Sequence, residues 1–266
     1  MITSLIIYLC CGAVVGVLAG LLGVGGGTVI VPILVAVFPY QGVPAEYVQQ
    51  LALGTSLASI TFTSISSARA HHLKGAVRWK IFRDITPGIL LGTFFGGLIA
   101  THLPTMFLKI FFICFLFAIS AQMMTNYRPP ATRHMPGMLG TAGAGGVIGM
   151  ISSFVGIGGG SLSVPFMTYC GVDIHEAVGT SAAIGFPIAV AGTLGYIVGG
   201  WGRPDLPPFT LGFVHLWALF GIAAASMLTA PIGVKISHAL PTRGLKRSFA
   251  IFLVLVGLKM LWDIVG

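Results

Sequence analysis

Long apolar runs alternate with short polar turns along nearly the whole chain. Two apolar segments end at glycine clusters, one at Leu22 and one at Val155. Each is followed by a short apolar segment, 28–38 and 161–170. Three longer spans then follow in each half, at about 47–68, 85–101 and 104–125, and at about 175–199, 209–236 and 241–264. Apolar runs of this length predict helices that cross a bilayer. The N-terminal stretch lacks the basic start of a signal peptide and reads as a first span that is retained.

The breaks are matched. "GLLGVGGGTVIVPIL" begins at Gly20, and "FVGIGGGSLSVPFM" begins at Phe154. Both read Gly-x-Gly-Gly-Gly, a hydroxyl residue, three residues and a proline. "LALGTSLAS" around Gly54 pairs with "EAVGTSAAI" around Gly179, and "LPTMFLKIFF" from Leu103 with "LPTRGLKRSF" from Leu240. Three motifs in the same order mark an internal duplication. It predicts a first transmembrane repeat over 1–125, a polar linker over 126–137 and a second repeat over 138–266.

Length and charge set the direction of the halves. One helix from Leu5 to Phe38 would be about 50 Å long, against a hydrocarbon core of about 30 Å. The short segment therefore folds back as a re-entrant hairpin, and the second half is inverted. That arrangement gathers Arg69, Lys74, Arg78, Lys80, Arg83, Arg128, Arg133, Lys235, Arg243, Lys246 and Arg247 on one side, out of 14 Lys and Arg in all. The parallel alternative gathers fewer. The positive-inside rule then puts both termini outside. The expected fold is an all-α polytopic membrane protein with two inverted repeats. Each has a Gly-broken hairpin plus three long spans, giving eight long spans or about ten helical segments.

Composition agrees. The chain is 56% hydrophobic and only 8% charged, where soluble domains carry about 25% charged residues. The net charge of +8 therefore marks loops at one face rather than a nucleic-acid surface. The four cysteines lie in apolar stretches without metal spacing and read as buried thiols. No cofactor or metal is expected. His71 and His72 point to different faces of any helix, which argues against a joint metal site.

A broken helix is tolerated in lipid only where its freed backbone faces protein or a cavity. Thr28 and Ser161 stand where the second half-helices begin, as N-caps would. Their free N–H groups and positive dipole ends would converge near mid-membrane as an anion site. The candidate substrate-binding residues are Gly25, Gly26, Gly27 and Thr28, with Gly158, Gly159, Gly160 and Ser161. Thr55, Ser56, Thr180 and Ser181 join them from the paired Gly-Thr-Ser motifs. The stripe Gly12, Gly16, Gly20 reads as helix packing. Only six carboxylates exist, all at span ends or in loops, and cation or proton pumps usually bury one. No nucleophile–base pair is evident, so an enzyme is not expected. A passive anion channel fits the same residues.

"GLLGVGGGTVIVPIL", "LALGTSLASI", "HHLKGAVRW", "AVGTSAAIGFPIAVAGTLGYIVGG", "LPPFTLGFVHL" and the stretch from Leu228 to Leu261 together resemble the sulfite exporter TauE/SafE family of membrane permeases. The resemblance spans essentially the whole chain. It implies a permease in a cell membrane, of the bacterial inner-membrane type, moving sulfite, thiosulfate or small organosulfonates. A permease for a non-sulfur organic anion is the alternative. The expected partners are the small anion and the lipid bilayer. Homodimer formation and proton coupling are open to the reading. The family often has an acidic residue before the tryptophan of "KG-x-V-x-W"; here Arg78 precedes Trp79.

Overall fold

The protein is described by a computed structural model covering residues 2–22, 26–125, 135–239 and 243–265. Ten α-helices are present among them: α1 (Ile2–Leu22), α2 (Gly27–Val37), α3 (Val48–His72), α4 (Trp79–Ala100), α5 (Thr105–Thr125), α6 (Met138–Val155), α7 (Gly160–Tyr169), α8 (Ile174–Gly199), α9 (Leu216–Ala239) and α10 (Arg243–Val265). A single 3₁₀ turn, Phe38–Gln41, follows α2. Two short strands, β1 (Thr210–Leu211) and β2 (Val214–His215), pair antiparallel just before α9.

Among the described residues, the regular structure is thus helical apart from that hairpin. Five of the described helices, α3, α5, α6, α8 and α9, are both long and apolar enough to cross a membrane. α4 and α10 match them in length, at 22 and 23 residues, but carry charged residues near their ends. Large apolar side chains such as Leu91, Val147, Phe220, Leu228 and Leu255 lie exposed on the outside of the bundle, as a lipid-facing surface requires.

Two boundaries differ from expectation. The polar stretch 69–84 is a loop only over 73–78: α3 runs through His72 and α4 begins at Trp79. The basic residues there are spread over helix ends, where the polar heads of long side chains reach water. α9 begins at Leu216 rather than near 209, because the β1–β2 hairpin takes up that stretch. The linker expected over 126–137 lies outside the described residues from 126 to 134.

Glycine stripes set the closest packing. On α1, a Cβ at Gly12, Gly16 or Gly20 would strike the backbone of Ile222, Ser226 or Ala230 on α9. On α4, a Cβ at Gly88 or Gly92 would strike the carbonyls of Ala142 or Gly146 on α6. Both pairs run parallel. Small residues let helices approach until backbones touch, which is how helices associate where lipid removes the hydrophobic drive. The expected packing role of Gly12, Gly16 and Gly20 is what is observed.

α3 and α8 cross at the centre, with α8 against Leu57 at Gly192 and against Ser64 at Gly185. These two helices run antiparallel. α5 and α10 are also antiparallel: the Ser120 hydroxyl donates to the Ala250 carbonyl at 2.8 Å, and the Phe117 ring lies against Gly257. The halves interlock through all four pairs. One proline defect is repaired across helices. Pro231 in α9 has no N–H for the Met227 carbonyl one turn back, and the Ser66 hydroxyl donates to that carbonyl at 2.8 Å.

Candidate functional site

The site begins at the two helix breaks. Gly26 caps α2 with φ 74°, and Gly159 caps α7 with φ 75°. Gly156 closes α6 with φ 69°. These left-handed conformations cost L-residues about 1–2 kcal/mol, and glycine nothing. The first turn sends α2 back along α1, whereas α7 packs on α8. A Cβ at Gly26 would strike the Val15 side chain of α1, and one at Gly159 would sit 3.5 Å from the Ser152 hydroxyl of α6. At the far end of the first hairpin, the Tyr8 hydroxyl donates to Gln41 Oε1 at 2.9 Å. The fold-back of α2 is therefore direct. Gly25 lies outside the described residues.

The two breaks touch. A Cβ at Gly27 would overlap the Gly156 carbonyl oxygen and stand 2.9 Å from Ile157 Cα. The Ser56 hydroxyl donates to that same Gly156 carbonyl at 2.7 Å. Glycine at 27 is thus needed for backbone contact between the halves as well as for the turn.

The hydroxyls at the breaks are not N-caps. The caps are Gly26 and Gly159, with no side-chain cap bond. Thr28 and Ser161 are the second residues of their helices, because the positive-φ turn falls one residue earlier than the hydroxyl pattern suggests. Both oxygens are buried without a hydrogen-bond partner, as are those of Ser152 and Ser163 nearby in sequence. The Gly26 carbonyl takes the N–H groups of Val29 and Ile30, at 3.0 and 3.1 Å. The Gly159 carbonyl takes those of Leu162 and Ser163, at 3.0 and 2.8 Å. The N–H groups of Gly27 and Thr28, and of Gly160 and Ser161, precede the first intrahelical bonds and have no partner within the helix.

A narrow cleft opens beside the second break. Ala19, Thr63, Ser64, Ser67, Gly158, Ser181, Ala182 and Gly185 line it, and its enclosed part has room for about one water. Of the residues expected from sequence, it brings together Gly158 and Ser181. Thr63, Ser64 and Ser67 were not anticipated. Their signal was legible: Ser56, Ser59, Thr63 and Ser67 recur at three- and four-residue spacing, so one face of α3 carries hydroxyls.

Thr55 and Thr180 are fully buried and bonded away from the cleft. Thr55 Oγ1 accepts the His215 N–H at 2.9 Å, and Thr180 Oγ1 accepts the Arg78 N–H at 2.9 Å. Arg78 immediately precedes α4 and His215 immediately precedes α9. Beside them, a Cβ at Gly54 would strike the Phe213 carbonyl, and one at Gly179 would reach the Ala76 carbonyl at 2.5 Å. The loops "GAVR" (75–78) and "GFVH" (212–215) are thus held alike, each by the Gly-Thr pair of the other half.

Charge is confined to the ends. Arg78 pairs with Glu176 of α8 at 2.8 Å, and this hydrogen bond, then the carboxylate charge, raises the guanidinium pKa. An acid therefore does stand at the turn before Trp79, supplied from the other half. Among the described residues, no group of three His, Cys, Asp or Glu side chains could hold a metal ion. His71 is buried with Nε2 3.2 Å from the Gly20 carbonyl, whereas His72 is exposed and accepts from Trp79 Nε1 at 3.3 Å.

The family description "Sulfite exporter TauE/SafE" matches residues 8–260. A probable membrane transporter protein of Haemophilus influenzae is 38% identical over 262 residues, covering 98% of this chain and 99% of its own length. Probable membrane transporter proteins of Bacillus subtilis and Methanocaldococcus jannaschii are 27% and 28% identical. They cover 93% and 94% of this chain, and 96% and 92% of their own lengths. No solved structure matches the chain. The match runs through both glycine turns, the hydroxyl cleft and the crossed loops, and the chain belongs to the sulfite exporter TauE/SafE family of membrane transporters.

Proposed function

We propose that this transporter moves small sulfur-containing anions, such as sulfite, thiosulfate or an organosulfonate, by alternating access. The observation that carries the reading is the pair of positive-φ turns at Gly26 and Gly159. They start two short helices, each with a buried unpartnered hydroxyl, and the first helix start touches the Gly156 backbone just ahead of the second. Helix N-termini bind anions through free N–H groups and the positive dipole end. The candidate contacts are the N–H groups of Gly26–Thr28 and Gly158–Ser161, the hydroxyls of Thr28 and Ser161, and Ser181 at the cleft. Thr55, Ser56 and Thr180 support the site from behind.

The repeats, 1–125 and 138–266 joined by 126–137, are inverted in this reading. It is supported by the antiparallel crossings of the equivalent helices α3 with α8 and α5 with α10. The parallel exchange pairs, α1 with α9 and α4 with α6, agree with it. Inversion places the 72–79 turn and the starts of α6 and α10 on one face, with most of the basic residues, and the positive-inside rule makes that face cytoplasmic. Transport would then rock the halves about the fixed glycine breaks. The cleft holds about one water and is smaller than any of these anions, so opening it is part of the cycle.

The test is flux into proteoliposomes with sulfite, thiosulfate, sulfate, sulfoacetate, taurine and chloride. Saturable uptake and counterflow of a sulfur anion support the reading. Non-saturating flux makes the protein a channel, and flux of other anions alone removes the sulfur substrate.

A further inference from the structure

The cleft beside the second break is walled by oxygens that accept rather than donate. Ser67 lines it at 3% exposure, and its hydroxyl has no hydrogen-bond partner. The Ser64 hydroxyl donates its proton to the Thr61 carbonyl at 3.0 Å. The Thr63 proton goes to the Ser59 carbonyl at 3.1 Å or to the Ser226 hydroxyl at 2.6 Å. Hydroxyls whose protons are so engaged have only lone pairs left to offer. A Cβ at Gly185 would stand 3.3 Å from the Gly158 carbonyl oxygen and 3.5 Å from Ser64 Cβ. Carbonyl and serine therefore meet across the bare backbone of Gly185.

These hydroxyls belong to one half only. With Gly54 aligned on Gly179, Ser59, Thr63, Ser64 and Ser67 of α3 stand opposite Ile184, Ile188, Ala189 and Gly192 of α8. All four α8 residues are buried, so the second copy packs these places without a polar group. Helix packing does not call for the hydroxyls, and buried polar side chains in a span mark ligand and ion paths.

We propose that the cleft is a sodium site. The ion takes the oxygens of Thr63, Ser64 and Ser67 and the Gly158 carbonyl, and it crosses together with the anion held at the glycine breaks. The proposal rests on the anion reading of those breaks and names its coupling ion. Size and charge select the ion. The enclosed space holds about one water, which admits sodium and is tight for potassium. No carboxylate lines the cleft, and calcium and magnesium draw on carboxylates. A cation that crosses alone needs a buried acid; one that crosses with an anion takes its counter-charge from the substrate. Each ion then raises the other's affinity by the same factor, as linkage requires. Carbonyls at a helix break suit the cation, while the helix N-termini suit the anion.

The experiment measures the shift in unfolding midpoint that thiosulfate or chloride produces in the detergent-solubilised full chain. It is run in sodium, potassium and N-methyl-D-glucamine gluconate at one pH and one ionic strength. In the wild type the anion affinity derived from the shift is about tenfold higher in sodium than in the other two salts. Ser67→Ala removes an unbonded hydroxyl, and Gly185→Ala puts a methyl group into the cleft with no approach closer than 3.3 Å. Both keep the wild-type midpoint in glucamine gluconate to within a few degrees, and both lose the sodium effect. Thr61→Ala, whose hydroxyl bonds the Leu57 carbonyl away from the cleft, keeps it. A wild-type sodium effect in either cleft variant overturns the proposal. Equal anion affinities in all three salts overturn it too, as a cleft that holds only water would give, and leave the anion reading standing. Where no anion shifts the midpoint but sodium alone raises it, and less so in both cleft variants, the anion reading fails and the sodium site stands. Where sodium also shifts nothing, both fail.

Discussion

Thr55 on α3 accepts the main-chain N–H of His215, 160 positions away, at 2.9 Å. Thr180 on α8 does the same for Arg78. Each half thus clasps the loop that starts a long helix in the other half. Both N–H groups meet fully buried hydroxyls, and a buried donor left without an acceptor costs about 1–3 kcal/mol. Thr55→Val and Thr180→Val should each lower stability by about that amount, whereas Thr→Ser at either site should recover most of it. Thermal unfolding in detergent measures the effect. Equal stability of the Val and Ser variants would show that the bonds contribute nothing.

The glycine turns should tolerate substitution least. Gly26→Ala and Gly159→Ala place a Cβ in a left-handed conformation and against Val15 or Ile188. Gly27→Ala drives a Cβ into the Gly156 carbonyl. The turn variants should lose about 1–2 kcal/mol from backbone strain alone, and all three should lose most transport per molecule that reaches the membrane. Gly137→Ala, where a Cβ meets nothing within 4 Å and φ is −57°, is the control. Full flux in Gly26→Ala and Gly159→Ala would remove the breaks from the site.

The basic face makes a topological prediction. In a cysteine-free background, Lys74→Cys lies in the turn between α3 and α4, and Trp201→Cys lies at the opposite end, beyond α8. Both positions are exposed. An impermeant maleimide added to intact cells should label position 201 and spare 74 until the membrane is opened. The reverse pattern would turn the molecule over without altering its fold.

Much of this arrangement is written in the sequence, because the duplicated features are backbone requirements. Glycines at 26 and 159 are dictated by positive φ, and Gly54 and Gly179 by the Phe213 and Ala76 carbonyls packed against them. Such positions keep their residue type in both copies. The crossed loops were harder to see. Between 75–78 and 212–215 only Gly and Val coincide, since the side chains differ while the held group is a main-chain N–H. Strands of two residues carry no readable period. The hydroxyls of Thr28 and Ser161 misled for a related reason: glycine had already made the cap, so the oxygens were left buried and unbonded.

His215 gives the chain a structural pH response. It precedes α9, and its Nδ1 accepts the Ala218 N–H at 3.2 Å, so the ring caps the helix in its neutral form. The Phe38 ring lies 5.3 Å away and the Tyr8 ring 6.4 Å away. Burial lowers its pKa below the usual 6.5, against a smaller opposing effect of a backbone hydrogen bond. A histidine depressed in the folded state binds fewer protons there than in the unfolded chain. Its contribution is therefore complete above pH 6.5 and is lost as pH falls below that value toward the lowered folded pKa. The unfolding midpoint of the anion-free protein should drop between about pH 7.5 and about pH 5. His215→Asn supplies a neutral cap acceptor that does not titrate, so its midpoint should fall less over the same range. An identical fall in both proteins would assign the acid sensitivity to another group.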